Sequence, residues 1–133
     1  MRYLLDTNIL SALVRSPRGV VAERIRDIGE ADVYTSVIVA AELRYGAVRR
    51  GSARLSLHIE TVLDAFEIVP WRAPHDRVYA ELRFGLEQAG TPIGSNDLLI
   101  ATQALADGSV LVTDNTREFA RISALTIENW LRS

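Results

Sequence analysis

Asp6, Glu42, Asp97 and Asp114 are carboxylates set among apolar residues, in L4-L5-D6-T7-N8, A40-A41-E42-L43, N96-D97-L98-L99-I100 and V112-T113-D114-N115. Burial disfavours the ionised form of an acid, so such placements are costly unless compensated. If the fold gathers all four, their repulsion calls for a strong counter-charge, and a divalent cation is the simplest. The chain has no cysteine, which excludes thiolate sites and disulfides. Its two histidines, His58 and His75, fall in different predicted helices, which argues against a histidine-rich zinc site. A hard ion held by oxygen, Mg²⁺ or Mn²⁺, is therefore expected. Acids with such an ion cleave phosphodiesters: the metal polarises the phosphoryl oxygen, acidifies water and offsets developing charge. Asp6 is expected as the central ligand, with Asp97 facing it. Glu42 would bind metal or position water, and Asp114 would complete the rim, directly or through water.

Thr7, Asn8, Asn96 and Thr113 are the residue types that orient ligating carboxylates from behind. Each of these residues also has a plainer role open to it. Asp6 can begin an Asx turn, Asp97 can favour a helix dipole, Asp114 can be a turn residue, and the Thr and Asn side chains can cap locally. Arg44 or Arg83 could neutralise Glu42. The joint arrangement, not any one residue, carries the chemistry.

The elements that must position these groups follow from pattern. R2-Y3-L4-L5 reads as a buried strand ending at Asp6, with Asn8 capping a helix that runs to Arg15. S16-P17-R18-G19 breaks it, and a second amphipathic helix covers about 20–28. A short strand lies near D32-V33-Y34-T35, and Ser36 caps the helix that carries Glu42 and ends before Gly51. The segment L55 to F66 has helical spacing and leads into the strand E67-I68-V69. Pro74 begins a longer helix, with Val78, Leu82 and Leu86 inward, closed by Gly90. The loop G90 to S95 delivers Asn96 and Asp97 to an apolar helix over L98 to A106. S109-V110-L111-V112 is a strand, and T126-I127 a final short one. Strands alternating with helices predict an α/β domain with a mainly parallel sheet. Sites in such sheets lie beyond the carboxyl ends of the strands, where Asp6 and Asp114 would sit.

Composition narrows the classes further. At 133 residues and 48% hydrophobic, the chain suits one domain spanning 1–133. All 15 basic residues are arginine. With no lysine, P-loop nucleotide binding fails, as do receiver-type and haloacid-dehalogenase-type phosphate chemistries that rely on one. No signal-peptide pattern and no membrane-length apolar run occur, so a soluble cytoplasmic protein is expected. The net charge of −2 argues against a basic nucleic-acid coat, yet without the four acids the remainder carries +2. Arg44, Arg49, Arg50 and Arg54 form the densest basic stretch and could contact phosphates, or simply offset a helix C-terminus.

At these residues the chain resembles the PIN-domain ribonucleases, and more narrowly the VapC toxins of bacterial toxin–antitoxin pairs. The matching stretches are L5-D6-T7-N8, A40-A41-E42-L43-R44-Y45-G46, P92-I93-G94-S95-N96-D97-L98-L99-I100-A101 and V112-T113-D114-N115-T116-R117-E118-F119. They run from the first strand to the last. The resemblance implies an α/β/α sandwich around a parallel sheet and Mg²⁺- or Mn²⁺-dependent endoribonuclease activity on structured RNA, often tRNA or ribosomal RNA. It also implies inhibition by a VapB antitoxin that contacts DNA on the pair's behalf, and assembly as homodimers or toxin–antitoxin hetero-oligomers. Asp6, Glu42 and Asp97 match the family's acidic triad. Many members space the fourth acid as T-x-D, whereas T113-D114-N115 places Asp one residue earlier, so Asn115 shares that expectation. The aromatics Tyr45, Trp71, Tyr79 and Phe84 are candidates for stacking on a base, with core packing expected for most. Two other functions are compatible with these residues: a non-catalytic co-repressor partner of a DNA-binding antitoxin, and a general nuclease in RNA processing or DNA repair.

Overall fold

The computed structural model describes residues 1–132; Ser133, the last residue of the expected domain, lies outside them. Five strands form one parallel sheet: β1 (Tyr3–Leu5), β2 (Val33–Ser36), β3 (Glu67–Val69), β4 (Val110–Val112) and β5 (Ile127–Glu128). Their spatial order is β3-β2-β1-β4-β5. The strands are short and, in the centre, apolar on both faces. Leu4, Leu5, Leu111 and Val112 are fully buried, as a parallel sheet covered by helices on both faces requires. Among the described residues seven α-helices flank the sheet: α1 (Thr7–Arg15), α2 (Val20–Ile28), α3 (Val37–Arg50), α4 (Ala53–Leu63), α5 (His75–Gln88), α6 (Ser95–Asp107) and α7 (Thr116–Phe119). Helix α1 packs on α3 and α4, and α5 packs on α6.

Strand order determines where a crevice opens. From β1 the chain moves outward through β2 to β3, then returns to place β4 on the other side of β1. The connections leaving β1 and β4 therefore diverge, and a gap forms beyond their carboxyl ends. The register pairs Leu5 with Val112, so Asp6 and Thr113 emerge side by side.

Local chemistry sets the helix ends. The Ser36 hydroxyl accepts from the Ile38 amide at 3.0 Å, the expected cap of α3. That helix stops at Gly51, whose φ of 64° places it in the left-handed region that glycine adopts without strain. Helix α1 begins one residue before expectation: Asp6, not Asn8, is its cap, and accepts from the Thr7 amide at 2.8 Å. Helix α5 is less inward-facing than its spacing suggests. Leu86 is buried, whereas Val78 and Leu82 are only half-buried on a peripheral helix. Among the described residues no helix is long and apolar enough to cross a membrane.

The opposite end of the sheet is closed by a polar network. The Tyr34 hydroxyl donates to Asp107 at 2.7 Å and lies 2.7 Å from the Ser109 hydroxyl, while His75 Nε2 meets the other Asp107 oxygen at 3.2 Å. Because His75 Nδ1 accepts from the Arg72 amide at 3.0 Å, its Nε2 is the nitrogen that donates to Asp107.

Candidate active site

The crevice between β1 and β4 is lined by Asp6, Thr7, Asn8, Ser11, Arg15, Glu42, Asp97 and Asn115. Three of the four expected acids thus meet in one cleft, delivered by a strand end, the second turn of α3 and the first turn of α6.

Asp6 is the most constrained. Only 4% of it is exposed, yet both oxygens are occupied: Oδ1 accepts from the Thr7 amide at 2.8 Å and Oδ2 from the Thr113 hydroxyl at 2.7 Å. Burial raises its pKa. The two hydrogen bonds pull it down, and the charges of Glu42 and Glu118 push it up again. Glu42 is held at both oxygens, by the Thr7 hydroxyl at 2.6 Å and by Asn96 Nδ2 at 3.2 Å. Asp97 accepts from Asn115 Nδ2 at 3.2 Å. Its pKa is pushed up to about 7, first by burial, then by the charges of Asp6 and Glu118. Thr7, Asn96, Thr113 and Asn115 therefore each bond a carboxylate of the cleft. Asn8 lines the cleft but turns its Oδ1 to the Asp114 amide at 3.3 Å.

Asp114 departs from expectation. It does not line the cleft. Its Oδ1 accepts from Asn129 Nδ2 at 2.9 Å and Arg132 Nε at 3.2 Å, which hold its carboxyl below the usual range. The C-terminal segment has captured it, and Asn115 takes the place beside Asp97.

The fourth acid near the cleft is Glu118, which the sequence reading did not single out. Its Oε1 accepts from the Gly94 amide at 2.7 Å and its Oε2 from Asn115 Nδ2 at 2.9 Å. The Gly94 amide is the chief cause of its lowered pKa, and the Asn115 side-chain amide lowers it further. The two neighbours are thus driven in opposite directions, Glu118 downward and Asp97 upward. The spacing Asn115 to Glu118 is that of a helix first turn whose acid reaches back, a signal already present in N115-T116-R117-E118.

Among the described residues, none of Asp6, Glu42, Asp97 and Glu118 has a cationic side chain within ion-pair distance. Nor are any three His, Cys, Asp or Glu side chains among them gathered tightly enough to hold an ion as they stand. Thr and Asn donors hold the carboxylates instead, Asp97 and Glu118 sharing Asn115, which is how like charges coexist here. The donor chemistry nevertheless fits a hard divalent cation: the set is all oxygen, without a cationic side chain in ion-pair distance, and the upward-shifted Asp97 would give up its proton to a cation.

The basic stretch is less available than its density suggests. Arg44 donates through Nε and Nη2 to both oxygens of Glu60, each at 2.9 Å, and Arg83 pairs with Glu87, so neither neutralises Glu42. Arg49, Arg50 and Arg54 are exposed. Arg50 borders a groove between α1, α3 and α4, lined by Val14, Leu43, Gly46, Ala47, Leu55 and Ile59, that joins the cleft at Thr7, Ser11, Arg15 and Glu42. Arg15 is the arginine at the acids, and no pattern in its neighbourhood marked it. The aromatics lie away from the cleft. Tyr45 and Phe84 are exposed rather than packed in the core, and Trp71 stacks edge-on to Tyr79.

A five-stranded parallel sheet of this order, with acids at its switch point, defines a class, and the comparison with known families agrees: residues 3–125 match the PIN domain, and the chain belongs to that family. Within it, the chain belongs with the VapC ribonucleases. It is 37% identical over 132 residues to "Ribonuclease VapC2" of Rickettsia felis, covering 98% of each chain. It is 30% identical over 131 residues to the "tRNA(fMet)-specific endonuclease VapC" of Shigella flexneri, again covering 98% of each. The crystal structure of VapBC2 from Rickettsia felis bound to a promoter DNA fragment superimposes with a TM-score of 0.89 at 36% identity, over 98% of this chain and 99% of that one.

Proposed function

We infer that this chain is the toxin of a VapBC-type pair, an endoribonuclease that needs Mg²⁺ or Mn²⁺ and cuts structured RNA such as a tRNA or a ribosomal RNA loop. The observation that carries the reading is the juxtaposition of Asp6, Glu42 and Asp97 at the sheet's switch point without a cationic partner among the described residues. Relatives that bear the names of a ribonuclease and a tRNA endonuclease support the reaction class. Asp6 and Asp97 would hold the metal, with Glu42 as a further ligand or as the group that positions water. When bound, a divalent cation supplies Lewis-acid polarisation of the phosphoryl group and a lowered water pKa.

The remaining work belongs to the protein. Thr113 and the Thr7 amide fix the Asp6 oxygens, so its geometry needs no rearrangement during reaction. Asn96 and Thr7 restrain Glu42, and Asn115 orients Asp97. Glu118, anchored by the Gly94 amide, holds Asn115 in place beside Asp97. Asp114 acts outside the cleft, tying the loop after β4 to the C-terminal segment.

The partner would be a VapB-type antitoxin, through which the complex contacts DNA, as in the Rickettsia felis VapBC2 structure. The apolar groove between α1, α3 and α4 suits an antitoxin segment, with an arginine entering the cleft in place of a cation's charge. Assembly as a homodimer or a toxin–antitoxin hetero-oligomer accompanies this reading. The test is direct. Protein freed of antitoxin should cleave RNA with Mg²⁺, and EDTA or Asp6→Asn should abolish cleavage. Persistent cleavage by Asp6→Asn, with contaminating nuclease excluded, would rule out the mechanism. Antitoxin binding without cleavage by the native chain would favour the co-repressor.

A further inference from the structure

Helix α1 presents Thr7, Ser11 and Arg15 at steps of four residues, which places them on one face. All three line the acid cleft, and all three also line the adjoining groove. Thr7 is bound to Glu42, so the stripe starts at the acids and ends at a guanidinium. Eight residues of helix span about 12 Å, and side chains lean toward the helix N-terminus, so an extended Arg15 reaches back toward the acids without touching them.

Two facts taken together single out Arg15. It forms no ion pair among the described residues, whereas Arg2, Arg24, Arg44, Arg83 and Arg132 each bond an acid. Among the described residues it is also the only arginine lining the cleft. An unpaired guanidinium beside several carboxylates, yet bonded to none, is free to take an anion from outside. Its planar fork matches two phosphate oxygens.

We propose that Arg15 binds a phosphate of the RNA strand flanking the one that is cut, drawing the backbone along α1 so that the scissile phosphate reaches the acids. The assignment rests on the nuclease reading and adds the residue that offsets the cleft's own repulsion of a polyanion. Uncompensated acids repel RNA, and a fixed cation a short distance along the strand answers that repulsion with register as well as affinity. Arg15, rather than the Arg44 to Arg54 stretch, is then the principal basic contact.

The test measures binding apart from turnover. In an Asp97→Asn background, a fluorescein-labelled RNA hairpin is titrated by anisotropy at several salt concentrations. Arg15→Gln should weaken binding about tenfold and reduce the salt slope by about 0.7 to 0.9, the loss of one phosphate contact. Arg15→Lys should recover part of the affinity through its point charge. In the otherwise native chain, Arg15→Gln should raise KM with little change in kcat. Arg15 is exposed in the last turn of α1, and overlapping thermal melts would establish that the variants fold. Unchanged RNA affinity and salt slope in Arg15→Gln would overturn the assignment. So would retained RNA affinity with weakened antitoxin binding, which would place Arg15 in the protein interface instead. If the native chain cuts no RNA at all, the nuclease reading fails first. If it cuts and Arg15→Gln binds equally well, this assignment alone falls.

Discussion

Thr113 donates its hydroxyl to Asp6 Oδ2 at 2.7 Å, with Thr113 fully buried. The two residues are 107 positions apart and meet because β1 and β4 pair in a register that sets Leu5 against Val112. The same hydroxyl accepts from the Asn115 amide at 3.0 Å, so it links the acid to the loop that carries Asn115. Thr113→Val keeps the shape and removes both interactions. The expected cost is about 1.5 to 3 kcal/mol of stability, the usual range for a buried hydrogen bond to a charged group. Cleavage should fall about 10- to 100-fold through loss of a ligand-orienting contact. Urea melts and initial rates check the two together; a stable Thr113→Val with full activity would remove this bond from the account.

Asp97 links stability to pH. Burial and the neighbouring acids push its pKa up to about 7 in the folded chain, against about 4 when unfolded. Between those values the folded protein holds a proton that the unfolded chain has released. Stability of the metal-free protein should therefore fall as pH rises from 4 through 7 and level off above. Asp97 is half-buried, so after discounting for solvent screening the change is about 1 kcal/mol. Asp97→Asn should flatten this dependence. Since a cation competes with the proton, added Mg²⁺ should raise Tm more at pH 8 than at pH 5.5.

Glu118 and Asp114 make opposite predictions. Glu118 bonds Asn115, which in turn bonds Asp97, so Glu118→Gln should reduce cleavage about 10- to 100-fold with modest loss of stability. Asp114 faces Asn129 and Arg132, so Asp114→Ala should lower Tm slightly and leave most activity in place. Rates measured at matched folded fractions distinguish them. A reversed result would return the fourth acidic role to Asp114.

What could be read before folding, and what could not, divides by range. Asp6 at a strand end and Ser36 ahead of an apolar helix are local patterns, and both occupy the expected places because strand periodicity and cap chemistry act over a few residues. The choice between Asp114 and Asn115 is not local. It depends on Asn129 and Arg132, which capture Asp114 from the C-terminal segment. Arg44 shows the same limit. Its partner Glu60 is on the next helix, and the turn at Gly51 sets which acid faces it, so charge density overstated its freedom. Asp97 was legible as a helix-start acid. That its pKa would rise followed only once the fold half-buried it and set Asp6 and Glu118 beside it.

The groove offers a way to separate toxicity from control. Gly46 lies within α3 and lines the groove, and a Cβ built there meets nothing within 4 Å. Its backbone is helical, so a larger residue adds no strain, and leaving glycine in a helix interior gains roughly 0.5 to 1 kcal/mol. Gly46→Leu should therefore fold at least as stably as the native chain and fill the channel that an antitoxin segment would enter. Cleavage of RNA by the free toxin should remain within about twofold, because none of the acids or their Thr and Asn donors is touched. Antitoxin affinity should fall at least tenfold, the effect of losing about 1.4 kcal/mol at one packed position. Calorimetric titration of antitoxin into the two proteins measures the difference. Growth arrest that antitoxin co-expression no longer relieves would show the same loss in cells. Equal antitoxin affinity for both proteins would move the docking surface away from α1, α3 and α4.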